Sequence, residues 1–216
     1  MNVMIEIKRL EIELKKFKLV AEDIKILKGE KVILNAPNNS GKSIFLLGMT
    51  GLIRTTVRDV FFDNIHCDKN LWQKLTGVYH DQSSLVPFLT PTEYFSMTGE
   101  LKGMPRELVM LNSRKYGDYL NLPKEEKKHI KELSLGTQKK VGLIASLLGD
   151  PSIVLWDEPF SNLDDESASS LALIIENELK DTSILLTSPT KELPIKKFTS
   201  QLSIDNDVVH KVPFGI

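Results

Sequence analysis

One junction constrains this chain more than any other. Residues Lys31–Asn35 (KVILN) form a short apolar run rich in Val and Ile, as a strand buried on both faces requires. The run passes directly into Ala36-Pro37-Asn38-Asn39-Ser40-Gly41-Lys42-Ser43, and from there into the apolar helical stretch IFLLGMTGLI. Strand, glycine-containing loop and helix, in that order, are the context in which a phosphate loop has meaning. Successive backbone N–H groups of such a loop wrap phosphate oxygens, and the helix turns its positive end toward them. Gly41 lets the backbone come close, Lys42 neutralises charge, and the Ser43 hydroxyl offers an oxygen to Mg²⁺. Ile44 leads the loop into the helix. Ala36 stands where the pattern has its first glycine, a place whose main need is a small residue.

A second junction lies far along the chain. Ile153–Trp156 is again a buried apolar run, and it ends on two carboxylates, Asp157 and Glu158. A strand that delivers two acids to one end suits a metal-bound phosphate site. Asp157 would serve the Mg²⁺ shell through water, and Glu158 would polarise an attacking water. Trp156 is bulky for this strand and reads as core. Residues 183–187 (SILLT) form a third buried run. Between the first two junctions lies a block punctuated by Pro87, Pro91, Pro105 and Pro123, with helices expected over 92–102, around 107–120 and over 136–148. A further amphipathic helix is expected over 167–179. Before the first junction, the runs 3–7, 10–14 and 24–27 read as short strands.

The predicted fold class is α/β: a P-loop NTPase core with a parallel sheet, an N-terminal antiparallel β portion and an α-helical insertion. One domain is expected over 1–216, its RecA-like core at about 1–83 and 149–216 and its helical subdomain at about 84–148.

Composition removes other classes. With 28 Lys+Arg against 29 Asp+Glu the net charge is −1, which gives no electrostatic case for nucleic acid. Hydrophobic residues at 41% and charged residues at 26% describe an ordinary globular chain. The single cysteine, Cys67, excludes an internal disulfide or a cysteine-based zinc cluster, and the four scattered histidines give no HExxH-type metal site. The longest apolar stretches, such as 141–148, fall well short of the roughly 20 residues that cross a bilayer. The start, MNVMIEIKRLEIELKK, lacks the long apolar core of a secretory signal. A soluble protein is expected, with any membrane role supplied by a partner.

The segment Leu133-Ser134-Leu135-Gly136-Thr137-Gln138-Lys139-Lys140-Val141 precedes Asp157 by about two dozen residues. Taken alone it is a helix start: Ser134 can cap it, and Gly136 and Thr137 leave N–H groups at its positive end. Taken with the phosphate loop, Gln82 after the run Thr76–Tyr79, the Asp157-Glu158 pair and Ser161-Asn162-Leu163-Asp164, it completes a set in family order. As a set, these motifs resemble the nucleotide-binding subunit of ATP-binding cassette (ABC) transporters over about residues 5–190. The LSLG form, together with LTPTEYFSMTGELKGMP, is similar to the exporter branch.

The resemblance implies ATP and Mg²⁺ as cofactors, with Ala36 to Ile44 as the nucleotide loop. Ser43, Gln82 and Asp157 would serve the metal, and Glu158, Lys42 and Gln82 the hydrolysis. Ser134 and Gly136 would contact ATP bound to an opposite cassette, and Asp164 would couple the two sites. The implied partners are an integral membrane permease subunit and a second cassette, self or paralogue, with no nucleic acid. The implied place is the cytoplasmic face of the membrane, as a peripheral subunit.

Two departures stand out. The family places a histidine after the strand that follows the catalytic glutamate, and here Pro189 occupies the expected position in Thr187-Ser188-Pro189-Thr190. Proline brings no donor, so slow hydrolysis is expected, with Ser188 as a weak substitute hydroxyl. Thr137 replaces the usual Gln or Met. Phe17 is either the aromatic that stacks on adenine or a core residue. Beside the transporter ATPase stand two alternatives: a regulatory cassette that closes on ATP but hydrolyses it poorly, and a soluble ABC ATPase outside transport. No long coiled-coil insertion marks a repair protein, and 216 residues do not hold the second cassette of a translation factor.

Overall fold

The computed structural model describes residues 2–15, 17–124, 127–190, 192–195 and 197–213. The chain opens with a long hairpin, β1 (Val3–Leu14) and β2 (Phe17–Leu27), paired antiparallel from Val3↔Leu27 to Leu14↔Phe17. The two N-terminal runs expected as separate strands are one strand. Its apolar phase changes from Ile5 and Ile7 to Leu10 and Ile12, and its pairing with β4 (Val57–Phe62) slips between Ile7 and Arg9. A bulge absorbs the extra residue and keeps both halves of the strand facing the core.

The parallel core holds β3 (Lys31–Asn35), β6 (Thr76–Tyr79), β7 (Ile153–Trp156) and β8 (Ser183–Ser188), with β9 (Ser200–Asp205) alongside β3. With β5 (Ile65–His66) and β10 (Val208–Pro213), the described strands make one sheet in the order β5-β4-β1-β2-β10-β9-β3-β8-β7-β6. Its antiparallel portion is larger than the sequence reading gave. Strands β4, β5, β9 and β10 carry polar residues at many positions and take their place from pairing with β1, β2 and β3.

Side chains of the central strands alternate between two apolar clusters. Val32, Leu34, Ile153, Leu155 and Leu185 pack toward the hairpin and α1 (Lys42–Thr50). Ile33, Val154, Trp156, Ile184 and Leu186 pack toward the other face. That face carries α4 (Leu135–Leu147) and α5 (Asp165–Leu173). Burial on both faces is why these strands read as unbroken apolar runs. At about 1.5–3 kcal/mol for each large apolar side chain buried, they anchor the fold. Trp156 is fully buried, as expected of a core residue, and its indole N–H donates to Ser146 Oγ at 2.8 Å.

Between β6 and β7 lie α2 (Pro91–Leu101), α3 (Arg106–Tyr119) and α4. Helix α2 begins on a capping box: Thr90 accepts from the Glu93 N–H and Glu93 from the Thr90 N–H. Helix α5 begins two residues earlier than expected because Asp164 caps it, accepting the Ser167 N–H at 2.8 Å. It then passes into a π-helical turn, Ile174–Glu178, where one uniform helix was expected. Among the described residues no helix is long and apolar enough to cross a membrane.

Candidate functional site

The loop after β3 turns sharply at Asn39 (φ 62°) and Gly41 (φ 100°). Gly41 has no room for a side chain, since a β-carbon there would fall 2.2 Å from Phe17 Cζ. Helix α1 starts at Lys42 with no side chain capping it. Among the described residues, the N–H groups of Gly41, Lys42, Ser43 and Ile44 find no acceptor within the protein. Four free donors at a helix start form an anion cradle. Ser43 is exposed beside them, while Ser40 Oγ is buried with no partner. Pro37, Asn38 and Asn39 are exposed and Ala36 is buried beneath them. The Lys42 ammonium folds back under the loop, donating to Ala36 O at 2.8 Å and Pro37 O at 3.0 Å. Orphan N–H groups, an orphan hydroxyl and a cation suit a polyphosphate.

The end of β7 meets this loop. Glu158 Oε1 lies 3.9 Å from Lys42 Nζ, so the two junctions seen in the sequence converge. Asp157 is buried, and its Oδ1 accepts a short hydrogen bond from the Thr187 hydroxyl on β8. The same hydroxyl oxygen accepts the Glu158 N–H at 2.9 Å. One buried threonine therefore fixes both acids. Among the described residues no hydrogen bond reaches the second Asp157 carboxylate oxygen, and with the exposed Ser43 hydroxyl it is a fitting donor for a hard cation such as Mg²⁺.

Other expected residues lie around this centre. Gln82 heads a 3₁₀ turn (Gln82–Ser84) just past β6, capped by Asp81, which accepts the Ser83 N–H at 2.8 Å. It is half-buried, and no hydrogen bond joins its side chain to Asp157 or Ser43 among the described residues. Ser134 caps α4 as read from the sequence, accepting the Thr137 N–H at 3.1 Å. The Thr137 hydroxyl also lies 2.8 Å from Ser134 Oγ. Ser134 is exposed and Gly136 half-buried; neither bonds to residues 36–44. Gly136 instead abuts the segment after Glu158, where a β-carbon would meet Asn162 O at 2.8 Å. Phe17 is half-buried at the edge of the hairpin cluster, with its ring over Gly41.

Three residues that the sequence reading did not single out belong to this arrangement. Thr187 is one. The others are Lys139 and Lys140, both buried in α4. Lys139 Nζ donates to Glu158 O at 2.6 Å and Ser161 Oγ at 2.5 Å. Lys140 Nζ donates to Asp164 Oδ2 at 2.9 Å. The Ser167 N–H, foremost, and Lys140 hold the Asp164 carboxyl well below the usual range. Two adjacent lysines inside a helix whose neighbours are apolar were the available signal. On the far side of the acids, Ser188 ends β8 and is buried, its Oγ accepting the Thr190 N–H at 3.2 Å, while Pro189 is exposed.

Comparison with known proteins identifies the family. A family model described as ABC transporter matches residues 21–161, nearly two thirds of the chain. The human ATP-binding cassette sub-family A member 10 is 30% identical over 162 residues, 72% of this chain but 10% of that protein. The ATP-binding protein HrtA of Staphylococcus epidermidis, named for hemin import, is 26% identical over 81% of each chain. Among solved structures, the dimeric bacterial ABC transporter cassette MJ0796 superposes with a TM-score of 0.80 at 22% identity, covering 97% of this chain and 98% of that one. The ATP-binding subunit of another ABC transporter gives 0.85 at 20% identity, covering 98% and 90%.

Proposed function

Because the chain belongs to the ABC transporter family and is an ATP-binding cassette of it, we propose that it closes with a second cassette around ATP and drives a membrane permease subunit. ABC cassettes are ATPases. The observation that carries the reading is the meeting of Lys42 and Glu158, 3.9 Å apart, at the head of a helix with free N–H groups. On this reading Ala36 to Ile44 hold the triphosphate, and Lys42 swings from the carbonyls of Ala36 and Pro37 to the phosphates. Ser43 and Asp157 hold Mg²⁺, with Gln82 joining from its turn. The metal, when bound, supplies Lewis-acid charge neutralisation. Glu158 takes the proton of the attacking water.

Ser134 is exposed at the start of α4, with the half-buried Gly136 two residues on, which suits contact with nucleotide on the other cassette. Asp164, at the far end of the segment after Glu158, suits coupling of the two sites. Residues of about 84–148 serve as the helical arm toward the permease, at the cytoplasmic face of the membrane. Export is the direction we propose, from the LSLG segment; HrtA, named for import, supplies the opposite expectation. Transport into inside-out vesicles with the co-purified permease separates them.

The nucleotide assignment is tested by titrating Mg-ATP into the wild type and Lys42→Ala. Loss of this charge-assisted contact is expected to cost about 1.5–3 kcal/mol of binding. Equal affinities would remove the assignment. A second reading, a cassette that binds ATP but turns it over slowly, is favoured by Pro189 alone.

A further inference from the structure

We infer that Lys139 is a positioning residue for Glu158, its buried ammonium fixing the backbone turn that aims this carboxylate at Lys42. The inference rests on Glu158 being the hydrolytic base. It starts from the backbone. Glu158 has φ 44°, in the left-handed region. A non-glycine residue stays there only when its surroundings hold it. The Thr187 hydroxyl holds the N–H side at 2.9 Å. The carbonyl side is held by Lys139 Nζ at 2.6 Å and Ser161 Oγ at 2.9 Å. Lys139 also donates to Ser161 Oγ at 2.5 Å, so the ammonium closes a three-membered ring of hydrogen bonds under the turn.

The placement is costly. Lys139 is 3% exposed, and burial draws its pKa down to about 8 against the raising influence of Glu158 and Asp157. Tyr79, 5.9 Å from the ammonium to its ring centroid, completes the surroundings. Lys102 shows what a buried lysine does elsewhere in the same fold. It donates to Thr76 O at 3.1 Å and Leu148 O at 2.6 Å, ties α2 to the sheet, and among the described residues hydrogen-bonds to no residue of the site. Lys139 instead joins α4, three residues past Gly136, to the turn that carries the base. It thereby ties the start of that helix to the position of a carboxylate on a different element.

Lys139→Met keeps the length and apolar stem and removes the ammonium. Turnover is expected to fall about tenfold or more, as for other small misplacements of a reacting group, with KM for ATP changed less than about twofold. Lys139→Arg restores part of the loss. In nucleotide-free protein, hydrogen exchange in Lys139→Met quickens at the Ser161 and Leu163 amides, which close the turns after Glu158, and not in α1. Lys102→Met lowers thermal stability and leaves turnover unchanged. If Lys139→Met fails to fold, Ser161→Ala removes one member of the ring from its solvent side and is expected to lower turnover with unchanged affinity. Wild-type turnover in either folded variant, with Glu158→Gln inactive, overturns the role of Lys139 alone. Wild-type turnover in Glu158→Gln overturns the reading beneath it.

Discussion

Two neighbouring strands end at the same place in different ways. At the end of β7, Asp157 and Glu158 are held by Thr187 from one side and Lys139 from another, with Lys42 3.9 Å from the Glu158 carboxylate. At the end of β8, Ser188 is buried, its Oγ accepting the Thr190 N–H and its carbonyl accepting from Asn35 Nδ2 at 3.4 Å. Pro189 follows, exposed and without a donor. The first ending is held from several sides; the second brings a serine hydroxyl and a proline. On the proposed reading, binding and water activation draw on β3 and β7, and a weaker contribution is expected from the end of β8, where Pro189 brings no donor. The proposed cassette is therefore expected to hold ATP well and to cleave it slowly.

The braced ending is the stronger half of that contrast, and breaking it gives the largest effect. Glu158→Gln keeps the shape and removes the base. It is expected to retain ATP, slow turnover by ~10²-fold or more, and trap the closed dimer seen by size-exclusion chromatography with Mg-ATP. Hydrolysis at the wild-type rate would place the base elsewhere. Thr187→Val acts one step removed. It preserves volume while leaving the Glu158 N–H unpaired and Asp157 unsupported. Turnover is expected to drop about tenfold, with about 1–3 kcal/mol of stability lost in chemical denaturation for the unsatisfied buried group. A Thr187→Val protein with full activity would show that strand pairing alone aims the acids.

Much of this was legible because the signals are local. The phosphate loop, the strand that feeds it and the strand ending on Asp157-Glu158 are contiguous runs whose composition follows from burial on both sheet faces. Ser134 as a cap followed from its place before an apolar helix. What stayed hidden depends on residues far apart in sequence. The strands β9 (SQLSID) and β10 (VVHKVP) are short runs broken by polar residues, and they take their place from pairing with β3, with β2 and with each other. The phase change between Ile7 and Leu10 was visible, but two strands and one bulged strand write the same pattern. Thr187 looked like the last residue of an apolar run, and its task appears only when β8 lies beside β7. The apolar neighbours of Lys139 and Lys140 hint at their burial, but the segment they hold lies about twenty residues away, so nothing local names their partners.

The weaker ending gives the smallest effect and the sharpest test of the contrast. Purified wild-type protein is expected to bind Mg-ATP with affinity set by the Lys42 loop and to turn it over slowly, well under the roughly 10 s⁻¹ typical of enzymes. Pro189→His returns an imidazole to the chain position where the family carries one. A single well-placed donor at a charged transition state is worth ~10²-fold or more. Here the gain is expected to be only severalfold. Residue 189 is exposed past the end of β8, so a ring there is expected to be poorly held. Nucleotide affinity is expected to stay the same, because neither β3 nor β7 is disturbed. Steady-state turnover and Mg-ATP titration of the two proteins, side by side, decide it. A fast wild-type enzyme would show that the bare end of β8 costs nothing. A large gain in Pro189→His would show that a donor, and not the framework around it, was all that this ending lacked.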